Sequence, residues 1–250
     1  MLYLSKEDPR KCILDGHAAS YDCTPAQTLS LAAAFRYCQE LSDGHCALLG
    51  LDFDALMKMN CVYLLSKMSL TFYKPLTLRQ VFKAQTYPRS LERLQHLRDS
   101  VFENEAGELA FTCTSAWVMV NPQTHRLLRP KEFPQMPLTL VPEGALGTER
   151  FGRITPPQDM PLVGTRPVYY SDIDVNGHLN NCVYAQYIQD YMPAELQNTP
   201  IEEVDIHFKR EAMQGEEISF FVKQEGDKVY FLGEHARGVC FEAVCKIKQG

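Results

Sequence analysis

Between residues 172 and 184 the sequence reads DIDVNGHLNNCVY, which sets Asp174, Asn176 and His178 at alternate positions and then supplies Asn180, Asn181 and Tyr184. Alternate side chains of an extended segment share one side. A carboxylate, an amide and an imidazole can therefore converge there, a set able to hold a water and move a proton. Turn and cap formation is the simpler use of Asp, Asn and Gly, with Asn180 satisfying free N–H groups of a following helix. A cap accounts for one of these residues, not for all of them.

The motif needs elements to hold it. Asn181 to Tyr191 (NCVYAQYIQDY) places Val183, Tyr187 and Tyr191 at i, i+4 and i+8, with Tyr184 and Ile188 beside them, and ends before Pro193. That pattern predicts an amphipathic helix beginning at the motif. Beyond it Val204, Ile206 and Phe208 alternate with Asp205, His207 and Lys209, the period of a half-buried strand. Earlier in the chain, Val62 to Phe72 ends in the same way, with Met68, Leu70 and Phe72 against Lys67, Ser69 and Thr71. Placing Phe72 on Phe208 brings Leu70 over Ile206, and a one-residue slip lays Arg79-Gln80-Val81 near Glu216-Glu217-Ile218. Strand-like runs follow each of these: 80–87, 94–103 and 109–120 in the first half, and 217–223, 228–235 and 239–247 in the second. Thr28 to Leu41, rich in helix formers, predicts the corresponding first-half helix, stopping at Asp43-Gly44. A helix wrapped by a curved antiparallel sheet, twice over, is the architecture these patterns predict.

Seven prolines fall between Arg129 and Pro161 (Pro130, Pro134, Pro137, Pro142, Pro156, Pro157, Pro161), which breaks helix and sheet alike. The expected division is a first body over 1–128, a crossing segment over 129–161 and a second body over 162–250. With 250 residues and 45% hydrophobic content the chain can bury an ample core. Its nine cysteines form no Cys-x-x-Cys pair, so neither a zinc site nor a redox motif is expected, and no metal or cofactor. A net charge of −6 offers no long-range attraction for nucleic acid, membranes or an acidic partner. No apolar run approaches the roughly 18 residues of a membrane span, and MLYLSKEDPRKC has no signal-like core, so a cytoplasmic location is expected.

With these residues in view, the chain resembles the acyl-acyl-carrier-protein (acyl-ACP) thioesterases. Their second half carries D-x-N-x-H-x-N-N-x-x-Y entering a helix, matched here by Asp174, Asn176, His178, Asn180, Asn181 and Tyr184, and a Glu-Cys pair after basic residues, matched by Lys209-Arg210-Glu211-Ala212. In the first half MSLTFYKPL and the Trp117-containing run Thr114 to Asn121 look like the family's strand pair. The resemblance implies an α+β double hot-dog fold, a thioester hydrolase and an acyl carrier protein as partner, its acyl chain linked through phosphopantetheine. The implied catalytic residues are Asp174, Asn176, His178 and Glu211. Ala212 stands where the family has cysteine, so a papain-like cysteine at that position cannot operate, and Cys182 is more simply a buried small hydrophobe.

The scheme that follows is activation of water. Glu211 takes its proton, Asn176 and His178 hold it, and Asp174 orients the loop or the imidazole. The helix end near Asn180 and Asn181 faces the carbonyl oxygen, and His178 returns a proton to the departing thiolate. The roles of Glu211 and His178 can be exchanged. The first half has Tyr21-Asp22-Cys23-Thr24-Pro25-Ala26-Gln27 before its helix and Lys74-Pro75 near the position of Glu211, so one active site per chain is expected, with the first half binding the acyl chain. Met57, Met59, Met68 and Trp117 are candidate lining for that chain, although apolar residues at such periods are as a rule plain core. Lys209 and Arg210 either meet the carrier's phosphate or form a solvated strand face. Arg36, His45 and His96 stand isolated, with no function read into them. Other readings are an acyl-CoA thioesterase, a hot-dog 3-hydroxyacyl dehydratase, and a silent acyl-thioester sensor. Chain length, saturation and pairing into a homodimer are not legible at this level.

Overall fold

The computed structural model describes residues 1–134, 137–142 and 151–248. Of these, residues 1–29 and those from 36 to 142 form one compact unit, and residues 30–35 with 151–248 a second.

The first unit contains β1 (Leu2–Leu4), β2 (Cys12–His17), α1 (Leu31–Leu48) from Arg36 onward, α2 (Phe53–Lys58), β3 (Val62–Phe72), β4 (Val81–Glu92), β5 (Gln95–Asn104) and β6 (Leu109–Val120). Its strands run in the order β1-β2-β4-β5-β6-β3, every pair antiparallel. The second contains β7 (Leu162–Pro167), α3 (Asn181–Asp190), β8 (Ile201–Phe208), β9 (Glu217–Glu225), β10 (Lys228–His235) and β11 (Gly238–Ile247). Its order is β7-β9-β10-β11-β8, again antiparallel. Apart from β1 the two orders correspond strand for strand. Each unit is a helix lying on an antiparallel sheet, the hot-dog arrangement.

Helix and sheet meet through side chains at helical spacing. On α1, Leu31, Ala34, Phe35, Cys38, Leu41, Ser42 and His45 are buried, and Tyr37 sets its ring edge-on to Phe82 of β4 at 5.0 Å. On α3, Tyr184 meets Phe241 at 5.1 Å and Phe208 at 5.5 Å, and Tyr187 meets Phe220 at 5.1 Å. Such aromatic contacts contribute about 0.5–1.5 kcal/mol each beyond the area they bury.

Three expectations change. The first helix runs on through Asp43-Gly44 to Leu48. Gly44 is there because Leu2 presses on the helix: a Cβ at 44 would come within 2.1 Å of the Leu2 side chain. The stop is Gly50, at φ +73°, with Gly50 N–H to Ala47 O at 3.0 Å and Leu51 N–H to Cys46 O at 2.8 Å. That is a Schellman ending, which glycine accommodates without a Cβ clash. Second, a short helix not anticipated from the pattern, α2, follows, capped by Asp52 accepting from Ala55 N–H at 2.9 Å. Third, the repeat needs no slip. β3 and β8 end at Phe72 and Phe208, and eight residues (73–80 and 209–216) lead to β4 and β9, so one offset holds across this stretch. The pair Ala18 N–H to Gln80 O at 3.0 Å and Val168 N–H to Glu216 O at 2.8 Å marks the same register in both halves.

Of the expected crossing segment 129–161, residues 135–136 and 143–150 lie outside the described residues. Its described part holds a 3₁₀ turn at Pro130–Glu132, and Val141 N–H reaches Pro88 O at 2.8 Å.

Candidate active site

The loop joining β7 to α3 is built on a buried carboxylate. Asp172 accepts from Arg166 Nη2 at 3.2 and 3.3 Å, from Tyr169 N–H at 3.0 Å and from the Tyr187 hydroxyl at 3.2 Å, while its own carbonyl takes the Asn180 N–H at 2.9 Å. Above this anchor the chain doubles back through a bridge between Ile173 and Leu179. Asp174 N–H bonds to His178 O at 2.9 Å and Gly177 N–H to Asp174 O at 3.0 Å. The turn requires φ +79° at position 177, where glycine carries no Cβ penalty. Val175 at its tip is 91% exposed.

Within the turn the Asp174 carboxylate takes the Asn176 N–H at 2.8 Å and the Asn176 side-chain amide at 3.4 Å. Those two residues are thus brought together. The bonds of Asp174 go to Asn176 and not to the imidazole, so Asp174 shapes the loop. Asn180 is the N-cap of α3, its Oδ1 accepting from Cys182 N–H at 2.8 Å. With the Asn180 amide taken by Asp172, the Asn181 N–H is the one left without a partner at this helix start among the described residues. Cys182 is buried in the first turn, which agrees with a packing role.

A single backbone bond brings in the second carboxylate: Leu179 N–H donates to Ala212 O at 2.9 Å, laying the segment after β8 beside the motif. Ala212 is fully buried and Glu211 is exposed. Burial is the largest influence on the Glu211 carboxyl and pushes its pKa up. A backbone N–H, the Arg237 guanidinium and the nearby His178 together outweigh it and hold the group below its ordinary range. His178 and Glu211 are therefore electrostatic neighbours.

Arg237, in the turn between β10 and β11, organises this segment. It reaches the Glu211 side chain at 3.4 Å and carbonyl at 2.7 Å, and grips Glu216 with two bonds of 2.7 and 2.9 Å. Glu216 is pulled down to about 2, first by its bonds to Arg237. His235 donates from Nε2 to Glu211 O at 3.2 Å and takes Arg237 N–H on Nδ1 at 3.1 Å. Sequence reading missed Arg237, Glu216 and His235, because no periodicity links a hairpin turn to a segment 26 residues away. Lys209 pairs with Glu242 at 2.9 Å, and Arg210 donates to the carbonyl of Arg237.

Both halves of the chain match one family. The family model for the acyl-ACP thioesterase N-terminal domain covers residues 17–133, and that for the C-terminal domain covers residues 159–240. The chain belongs to the acyl-ACP thioesterase family. Oleoyl-acyl carrier protein thioesterase 1 of Arabidopsis thaliana is 23% identical over 217 residues, 80% of this chain and 60% of that protein. A palmitoyl-acyl carrier protein thioesterase of Gossypium hirsutum is 26% identical over 205 residues, 77% of this chain and 50% of that protein. The chain therefore spans 60% or less of the length of these two relatives. Among solved structures, an acyl-ACP thioesterase from Bacteroides thetaiotaomicron superposes with TM-score 0.84 at 20% identity, over 98% of this chain and all of that one. The 12:0-ACP thioesterase of Umbellularia californica gives 0.79 at 16% identity, over 95% and 97%. These likenesses establish the double hot-dog fold.

The remaining candidates are spread over core and surface. Met68 is in the core, Met59 packs on the cluster of Leu51, Leu56, Cys61, Met119 and Leu128, Met57 is exposed, and Trp117 donates its Nε1–H to Ser115 at 2.8 Å. Arg36 is not isolated: it pairs with Asp22 at 2.7 Å. Among the described residues no group of three or more His, Cys, Asp or Glu is arranged to hold a metal, and no helix is long and apolar enough to cross a membrane.

Proposed function

We propose that this chain hydrolyses fatty acyl-ACP thioesters to free fatty acid and carrier thiol, ending acyl elongation. Family membership supports the reaction class, and the names of the relatives support the acyl carrier protein as donor. The observation that carries the site is the bond from Leu179 N–H to Ala212 O, which puts Glu211 next to the Asp174-Asn176-His178 turn.

In this scheme a water is held by the Asn176 amide and His178 and loses its proton to Glu211 as it adds to the thioester carbonyl. Arg237 and His178 favour the ionised form of Glu211, the form that can accept a proton. Negative charge growing on the carbonyl oxygen is met by the Asn181 N–H and the positive end of α3. The tetrahedral adduct collapses, the C–S bond breaks, the thiolate takes a proton from His178, and the proton held on Glu211 replaces it, leaving fatty acid and thiol. Asp174 holds Asn176 in place. No cysteine nucleophile takes part.

The division of labour follows the division of the chain: residues 1–128 bind the acyl group, 129–161 cross over, and 162–250 carry the chemistry. The protein works in the cytoplasm, as a monomer or a homodimer, with a phosphopantetheine-linked acyl carrier protein. Purified protein tested on a ladder of acyl-ACP and acyl-CoA thioesters should release thiol, fastest from acyl-ACP. Water elimination from a 3-hydroxyacyl thioester, or tight acyl binding without thiol release, would overturn the reading.

A further inference from the structure

In the second unit the turn between β10 and β11 sets one guanidinium between two carboxylates. Arg237 gives its Nε–Nη2 edge to Glu216, with Nε to Oε1 at 2.7 Å and Nη2 to Oε2 at 2.9 Å. Its Nη1–Nη2 edge faces Glu211, where Nη2 donates to the main-chain carbonyl at 2.7 Å and Nη1 reaches side-chain Oε1 at 3.4 Å. The same cation thus offers Glu216 a fork of two short bonds and the Glu211 side chain one long bond.

A fork is the favoured use of a guanidinium against a carboxylate, so the two acids compete for it. The backbone of Arg237 is held on both sides: its N–H goes to His235 Nδ1 at 3.1 Å, and its carbonyl takes Arg210. The side chain is what can turn, and Glu216 holds that. Glu216 is well anchored. Its Oε2 also accepts from Met213 N–H at 2.8 Å, its own N–H reaches Met213 O at 3.1 Å, and its carbonyl takes Val168 N–H at 2.8 Å. Its side chain is 25% exposed, against 39% for Arg237 and 51% for Glu211, so the tighter pair is also the more sheltered one.

We propose that Glu216 is a positioning residue: it holds Arg237 off the Glu211 side chain and so keeps the Glu211 carboxylate open to a proton. Its bearing on catalysis rests on the reading of Glu211 as the base. A carboxylate forked by a guanidinium has both oxygens engaged and its ionised form favoured, and each makes it a poorer proton acceptor. The other charged or titratable groups around Glu211 are His178 before α3, Tyr184 on α3, His235 on β10 and Arg210 in its own segment. Burial above all pushes the Tyr184 hydroxyl up and keeps it neutral, and Arg210 is turned to the Arg237 carbonyl. Arg237 is therefore the cation whose orientation decides how far Glu211 is engaged.

Carbon-13 NMR of the Glu211 carboxyl, titrated with pH, tests this in the parent, Glu216→Gln, Arg237→Ala and the double variant. Glutamine keeps the shape of the side chain and an acceptor for Met213 N–H, and removes the charge that grips the guanidinium. Released, Arg237 should fork onto Glu211 and lower the midpoint by roughly half a pH unit, less than the 1–3 of close pairs because both side chains are exposed. Arg237→Ala should raise the midpoint, and adding Glu216→Gln to it should change nothing more. On acyl-ACP, Glu216→Gln should lower kcat/KM by about tenfold, a fraction of the 10²–10⁴ that a general base supplies. Its acid limb should move to lower pH, and the double variant should recover part of the loss.

One reading needs no variant. In the parent, nitrogen-15 NMR should show the Arg237 Nε–H protected from exchange and the guanidinium hindered in rotation. The proposal is overturned if that group rotates and exchanges like free arginine, or if the Glu211 midpoint stays or rises in Glu216→Gln. It is also overturned if the midpoint falls equally with Arg237 absent, since Glu216 would then act through its own charge. A midpoint that falls while the acid limb stays put supports the hold on Arg237 and removes Glu211 as the base, so the two readings fail separately.

Discussion

The loops 18–30 and 168–180 share one backbone and differ in what it carries. Asp22 accepts from Tyr37 at 2.8 Å and from Arg36, as Asp172 accepts from Tyr187 at 3.2 Å and from Arg166. Cys23 bridges Leu29 as Ile173 bridges Leu179. Thr24 N–H reaches Thr28 O at 2.8 Å, as Asp174 N–H reaches His178 O at 2.9 Å, and Leu29 N–H reaches Leu76 O as Leu179 N–H reaches Ala212 O. At equivalent positions one loop has Thr24, Ala26, Thr28 and Pro75, the other Asp174, Asn176, His178 and Glu211. The buried Asp–Tyr pair, present in both, belongs to the architecture. The four polar residues confined to the second half are where chemistry can differ.

The largest effect should come from that difference. Glu211→Gln and Asn176→Ala are expected to lower kcat/KM on acyl thioesters by about 10²–10⁴-fold, the range for losing a positioned proton-transfer group, while Thr24→Ala and Thr28→Ala stay within about twofold in the same assay. Comparable losses from both loops would break the comparison.

Arg237 is the next test, because Pro75 has no carboxylate for a counterpart to hold. Since Arg237 lowers the Glu211 pKa, Arg237→Ala must let it rise, and the acid limb of the kcat/KM profile should move to higher pH. Arg237→Lys should restore part of the shift. An unmoved limb with reduced turnover would assign Arg237 to structure alone.

The shared anchor should respond alike on both sides. Tyr37→Phe and Tyr187→Phe each strip a donor from a buried carboxylate, an expected loss of about 1–3 kcal/mol by denaturant titration. A much larger loss on one side would mean the pair is not common architecture. The smallest effect concerns the turns. Gln27 sits at φ +60° where the second loop has Gly177 at φ +79°. Gln27→Gly should stabilise and Gly177→Ala destabilise, by about 1 kcal/mol each.

Much of this comparison was readable in the residues. The limits of β3, β6 and β10 follow from alternating patterns, α3 from its aromatic spacing, and Phe72 over Phe208 already aligns the two halves. β2 and β7 were not seen, because Cys12–His17 and Leu162–Pro167 are short and mixed in character. The end of α1 was misplaced because Gly44 serves a close approach by Leu2, which local pattern does not encode. His45 passed as isolated because its partner Arg98 lies 53 residues away.

By itself, then, the sequence determined α3 and the longer strands, the duplication, the lack of the motif in the first half and, through Ala212, the absence of a cysteine nucleophile there. Those properties are local, or repeat at a fixed interval. Only the tertiary structure decided that Arg237 and His235 hold Glu211, that the Asn181 amide has no partner at the start of α3 among the described residues, and that Arg98 is buried against His45 and Thr86. Each of these depends on which backbone and side-chain groups remain unpaired once distant strands have come together.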